Sequence, residues 1–189
     1  MKKRALVLLA NGFEEVEAIT PIDYLRRAGV EALSAAVGTG GALEVSGARG
    51  VTLKADLSVE AALAAEAPWD AVLCPGGLPG AEHLAASPEV TDLLRGAAAS
   101  GAVIGAICAA PALVLYPLGL LRGKRYTCYP GLEARVTEAR HSTEAVVVDG
   151  ALVTSRAAGT AGLFAQALVE ALAGPAAAAA LAKSVLLSP

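Results

Sequence analysis

The chain reads as an α/β protein, an open and mostly parallel sheet with helices on both faces. Three observations predict this. Short apolar runs recur along the chain at Ala5–Ala10, Ala71–Cys74 and Ala102–Ile107. Helical patterns lie between them. The runs end at Asn11-Gly12, at Pro75-Gly76-Gly77 and at a cysteine followed by small residues. Apolar residues at every position, rather than at alternate ones, suit parallel strands buried on both faces. Strands that alternate with helices suit a sheet assembled by crossover connections.

The elements follow in order. After the Ala5–Ala10 strand, Glu14 to Ala28 predicts a helix with acidic residues in its first turn, Arg26 and Arg27 in its last and Gly29 as its stop. Pro21 falls inside it and should kink it. Val30 to Val37 predicts a second strand, and Leu43–Val45 with Val51–Leu53 a small hairpin around Gly47 and Gly50. Val59 to Ala65 predicts a short helix ahead of the Ala71–Cys74 strand. Ser87-Pro88-Glu89 places a capping hydroxyl and a first-turn proline at the start of a helix that runs to about Ser100. The Ala102–Ile107 strand leads into Cys108 and a helical segment. Val146–Val148 and Leu152–Thr154, split by Asp149-Gly150, predict a hairpin-like pair, and Thr160–Ala173 and Ala176–Leu187 two closing helices.

Composition narrows the function. The 189 residues are 55% hydrophobic and 17% charged, with net charge −3 and no basic run beyond Lys2–Arg4, so no nucleic-acid footprint is expected. Three cysteines, none at C-x-x-C spacing, fit neither a disulfide framework nor structural zinc; reduced thiols in the cytoplasm are the expectation. Lys2–Arg4 and the following apolar run imitate a leader, but the run is short and meets Asn11-Gly12-Phe13-Glu14-Glu15 rather than a cleavage site. The charge-free stretch Gly96–Leu121 is long enough for a membrane span, yet its glycines and prolines divide it into core elements. His83 and His141 stand alone at no ligand spacing, and no G-x-G-x-x-G loop follows the first strand. No metal and no cofactor are expected.

In open parallel sheets chemistry collects beyond the carboxyl ends of the strands. Three such ends carry unusual residues: Asn11–Glu17, Cys74–Gly77 and Cys108–Pro111. Cys108 sits where strand turns to helix, as a nucleophile elbow would place it. Gly105, Ala106, Ala109 and Ala110 leave room for the turn, and a following helix N-terminus would lower the thiol's pKa. The competing reading is a buried cysteine that serves as a small hydrophobe. Glu17 shares its helix face with Phe13, Thr20, Pro21 and Tyr24. A carboxyl there is desolvated, which raises its pKa and lets it donate a hydrogen bond; Glu14 is its rival. Gly76 and Gly77 can offer backbone N–H groups to an anion or make an ordinary tight turn. Cys74 reads as core and Cys128 as structural or incidental.

These residues resemble the DJ-1/PfpI superfamily, and within it the DJ-1/YajL branch. The markers are Arg4–Ala10 with Gly12, Glu14, Glu15 and Glu17; Pro21-Ile22-Asp23; Arg26-Arg27-Ala28-Gly29; Pro75-Gly76-Gly77 with Gly80-Ala81; Ala106–Pro111; and Thr154-Ser155-Arg156 with Gly159-Thr160. The resemblance implies one flavodoxin-like three-layer sandwich over residues 1–189, assembled as a homodimer. It makes Cys108 the reactive, oxidation-prone thiol, Glu17 the protonated glutamate bonded to it, and Gly77 and Ala109 the adjacent N–H donors. Arg27 and Arg49 would match arginines near the pocket and the dimer contact. The family departures are Tyr129 where DJ-1 has a histidine, Ala109 where PfpI-type proteases have one, Ala158 for a proline, and Lys54 for an interface cysteine.

The function this implies is a cysteine-dependent glyoxalase or deglycase acting on small aldehydes or dicarbonyls such as methylglyoxal, or on their early glycation adducts. Cys108 attacks, Glu17 shuttles the proton, and Gly76, Gly77 and Ala109 supply backbone stabilisation. The alternative is a redox-sensing or chaperone-like stress protein in which Cys108 oxidises to a sulfinate. Neither reading calls for a membrane or a sequence-specific nucleic acid.

Overall fold

A computed structural model describes residues 2–187. Strand β1 (Arg4–Ala10) opens the chain and α1 (Glu15–Arg27) follows. Then come β2 (Glu31–Val37), the antiparallel pair β3 (Glu44–Ser46) and β4 (Thr52–Lys54), β5 (Leu57–Ser58), α2 (Val59–Leu63) and β6 (Ala71–Cys74). Helices α3 (Gly80–Ala86) and α4 (Pro88–Ser100) lead to β7 (Val103–Ile107) and a single π-helical turn at Pro111–Leu115. The short parallel pair β8 (Arg125–Tyr126) and β9 (Arg140–His141) flanks a 3-10 turn at Leu132–Arg135. The chain ends with β10 (Val146–Asp149), β11 (Leu152–Ser155), α5 (Ala161–Ala173) and α6 (Pro175–Ser184).

Seven strands form one sheet in the order β10-β11-β7-β6-β1-β2-β5. Every neighbouring pair is parallel except β10 with β11. This is the α/β, flavodoxin-like sandwich. Strand β1 shows why its sequence is apolar throughout. Leu6, Leu8 and Ala10 pack with Val59, Leu84, Val90 and Leu94 on the α2–α4 side. Ala5, Val7 and Leu9 pack with Leu25, Phe164, Leu168 and Val169 on the α1–α5 side.

Local chemistry accounts for the better-marked helix ends. Ser87 Oγ accepts from the Val90 N–H at 3.2 Å, Pro88 occupies the first turn of α4, and Gly101 closes it with φ +73°. Helix α1 runs through Pro21, which has no N–H to give the Glu17 carbonyl.

Several elements differ from the sequence reading. Helix α2 stops at Leu63, and the β3–β4 hairpin lies one residue beyond its predicted position. The sequence does not signal β5 or α3. Strand β5 is two residues long and exists by pairing with Ala35 and Ala36 of β2, while α3 starts without a side-chain cap. The helix expected after Cys108 shrinks to the π-helical turn. The Gly96–Leu121 stretch is shared between α4, β7 and that turn, and no helix of the described residues is long and apolar enough to cross a membrane.

Candidate active site

The sheet order puts β1, β6 and β7 side by side, so the loops at their carboxyl ends converge. Glu14 N–H donates to the Gly76 carbonyl at 3.0 Å, and Gly80 N–H to the Gly12 carbonyl at 3.3 Å. That approach explains two glycines. A Cβ on Gly77, whose φ is +87°, would lie 2.4 Å from Glu14 N and 2.5 Å from Gly12 O. A Cβ on Gly76 would lie 2.7 Å from both Cys108 Cβ and Glu17 Oε2. No other residue type fits either position without movement.

Cys108 holds a left-handed backbone, φ +64°, directly after β7. For a residue with a Cβ this costs about 1–2 kcal/mol and persists only where neighbours over-determine it. Here its N–H donates to Ser155 O at 3.0 Å and its carbonyl accepts from Tyr129 N at 2.8 Å. Ser155 Oγ meets Thr160 Oγ1 at 2.7 Å and donates to Ala145 O at 2.8 Å, so β11 fixes the elbow and the Ala157–Ala158 segment together. Gly105, read as room for the turn, lies instead in the sheet interior. A Cβ there would meet Leu73 Cδ2 at 2.5 Å.

Glu17 is 1% exposed. Its Oε2 accepts from the Gly76 N–H at 2.9 Å, and its carboxyl is in hydrogen-bonding reach of the Cys108 sulfur. Burial pushes the Glu17 pKa up to about 7, against the lowering effect of the Gly76 N–H and the thiol. The acidity of Cys108 departs from the sequence expectation. Burial, then the neighbouring Glu17 charge, pushes the thiol up to about 12; the N–H groups of Gly77 and Ala109, aimed at the sulfur, act in the opposite sense. One π-helical turn supplies too little dipole to reverse this. Burial thus holds both members of the pair toward their protonated forms.

Gly76, expected among the oxyanion donors, is a correction: its N–H is committed to Glu17, leaving Gly77 and Ala109 on the sulfur. Arg49 and Glu14 line the same cavity and face each other at 3.9 Å. Arg27 does not line it. It pairs with Asp23 at 2.7 Å, on the last turns of α1. The cavity holds about 530 Å³, with Tyr129, Pro130 and Leu132 on one wall and Ala157 and Ala158 on another.

Glu15 has more to do than its place in the first turn of α1 signals. It is buried, and its Oε1 accepts from Arg49 N at 2.7 Å and Val51 N at 3.3 Å, pinning the β3–β4 loop beside the cavity. Cys74 is buried in β6 and its thiol is pushed up to about 12 by burial. His83 Nδ1 meets the Asn11 carbonyl at 2.9 Å, outside the cavity. Cys128, Glu133 and His141, which the sequence leaves apart, lie together.

A parallel α/β sandwich with a strained cysteine elbow, a buried glutamate against its sulfur and two N–H groups beside it defines the class of protein. Residues 3–171 match the DJ-1/PfpI family, and the chain belongs to that family. Protein dj-1beta of Drosophila melanogaster is 40% identical over 190 residues, 100% of this chain and 99% of that protein. The crystal structure of Drosophila melanogaster DJ-1beta matches with a TM-score of 0.93 at 38% identity, covering 100% of both chains. The glutathione-independent glyoxalase DJR-1.2 of Caenorhabditis elegans is 35% identical over 177 residues, 92% of this chain and 91% of that protein. Protein DJ-1 homolog B of Arabidopsis thaliana is 44% identical over 165 residues, 87% of this chain but 37% of that protein. The chain spans less than half the length of such plant relatives.

Proposed function

We propose that this protein is a cofactor-independent, glyoxalase-type enzyme that acts through Cys108 on methylglyoxal and related dicarbonyls, or on their early adducts with amines. The observation that carries the reading is the Cys108 sulfur held between the Glu17 carboxyl and the Gly77 and Ala109 N–H groups at a cavity of about 530 Å³. The cavity is large for a three-carbon substrate and leaves room for an amine-bound adduct. The glyoxalase name of the Caenorhabditis elegans relative supports the same chemistry.

The steps balance without an external oxidant. Glu17 carboxylate takes the thiol proton as sulfur attacks the aldehyde carbon, giving a hemithioacetal. The N–H groups of Gly77 and Ala109 stabilise the developing oxyanion. A proton then leaves the former aldehyde carbon and returns to the adjacent carbonyl carbon, so one carbon is oxidised as the other is reduced. Water releases lactate from the resulting thioester. Tyr129 stands where DJ-1 has a histidine, so turnover is slow. A homodimer belongs to this proposal; exposed Val16 and Ile19, one turn apart on α1, offer apolar surface for it.

Lactate formation from methylglyoxal by wild type, Cys108→Ala and Glu17→Ala tests the reading. Turnover above buffer that disappears in Cys108→Ala supports it. Absence of turnover in wild type, with a gain of two oxygens on Cys108 under mild peroxide, replaces the enzyme by a redox sensor.

A further inference from the structure

Away from the elbow, the described residues bring one set of potential metal-ligating side chains together. Cys128, Glu133 and His141 each offer one ligand atom, and these atoms lie within 4.8 Å of one another. Cys128 follows β8, Glu133 sits on the 3-10 turn, and His141 ends β9. Parallel pairing of β8 with β9 brings the distant histidine beside the cysteine, with Tyr126 opposite His141.

Burial grades across the cluster: His141 is exposed, Glu133 half-buried and Cys128 buried, so the ligand atoms run from the surface inward to the sulfur. A second observation points to an occupant. The Tyr126 hydroxyl is buried and has no hydrogen-bond partner among the described residues. Its ring packs tilted against His141 at 5.5 Å, and its oxygen lies in electrostatic reach of Cys128 and Glu133. A buried, unpartnered phenol whose ring packs on one candidate ligand is placed to bond a metal-bound water or to steady that ligand.

We propose that Cys128, Glu133 and His141 form a Zn²⁺ site with one position left to water. A thiolate, an imidazole and a carboxylate suit zinc, whereas magnesium and calcium prefer oxygen throughout. Bonds of about 2.3 Å to sulfur and about 2.1 Å to nitrogen set tetrahedral ligand atoms roughly 3.5 Å apart. The cluster closes to that spacing by movement of the exposed His141 ring and the Glu133 side chain, now bonded to Gly131 N at 2.6 Å. Binding expels the Cys128 thiol proton to solvent; thiolate and carboxylate then balance the dication. Arg156 lies near both anions, with its guanidinium donating to Thr143 O at 3.1 Å. The segment between the ligands carries Tyr129, Pro130 and Leu132, so zinc would pin one wall of the Cys108 cavity.

The test uses the full chain, reduced and metal-free, titrated with Co²⁺ and then Zn²⁺. Wild type and Cys108→Ser should each bind one equivalent of Co²⁺ with thiolate-to-cobalt charge-transfer absorption, displaced by Zn²⁺. Cys128→Ser should lose the band. Glu133→Gln and His141→Gln should weaken Zn²⁺ about tenfold or more, since even partners that only orient a ligand are worth that much. His141 is exposed, so its variant keeps the test sound if Cys128→Ser folds poorly. Absence of the band in wild type, loss of it in Cys108→Ser, or undiminished affinity in His141→Gln would each overturn the site.

Discussion

Replacing Glu17 by Gln should change how stability depends on pH. The fold raises this carboxyl from its ordinary 4.5 to about 7, chiefly by burial. The folded chain thus holds a proton that the unfolded chain releases over that interval. Each pH unit of such a mismatch is worth about 1.4 kcal/mol, so wild type loses about 3 kcal/mol as pH rises from 4.5 to 7. The sign follows from proton binding: below 4.5 both states are protonated and nothing is lost, and above 7 both are ionised and the full cost has been reached. Glutamine removes the titration yet keeps an oxygen for the Gly76 N–H, 2.9 Å away in wild type. Urea unfolding of both proteins at several values between pH 4.5 and 8 supplies the measurement. Other titrating groups cancel in the difference. Wild type should lose about 3 kcal/mol relative to Glu17→Gln across the range. A difference that stays flat, or that favours wild type as pH rises, would refute the assigned burial cost.

The remaining predictions concern the same region. Lactate formation should rise with pH around a midpoint of about 7, where Glu17 ionises, and Glu17→Gln should abolish both the rise and the activity in a pH–rate profile. Cys108→Gly should be about 1 kcal/mol more stable than Cys108→Ala by thermal unfolding, because φ +64° strains any residue with a Cβ. Gly76→Ala should cost about 1–3 kcal/mol and slow alkylation of Cys108, since its Cβ would lie 2.7 Å from Cys108 Cβ and Glu17 Oε2. Glu15→Ala should cost about 2 kcal/mol in urea by leaving the Arg49 and Val51 N–H groups without their carboxylate acceptor.

Some structure follows from composition and order alone. Strand β1 is apolar at alternate and intervening positions because both of its faces are covered, and this periodicity is readable without coordinates. Helix α4 declares its start through Ser87-Pro88 and its end through Gly101, because capping is a contact between near neighbours in sequence. The two-residue β5 carries no comparable signal; its register comes from Ala35 and Ala36 on another strand. Cys108, Glu17 and Gly77 could be singled out from turn chemistry, helix projection and family resemblance. Their mutual distances could not.

Sequence by itself therefore determined the α/β class, the family and the three strand ends whose residues line the cavity. Only the tertiary structure decided that Gly76 serves Glu17 rather than an oxyanion, that Arg27 lies off the cavity, and that Glu15 braces the loop bearing Arg49. It alone decided that the Cys108 thiol is pushed up rather than down. It also joined Cys128 to Glu133 and His141. The physical reason is common to all of these. Backbone periodicity and capping act over a few residues, whereas desolvation, charge and hydrogen-bond choice depend on which distant segments the sheet order brings into contact.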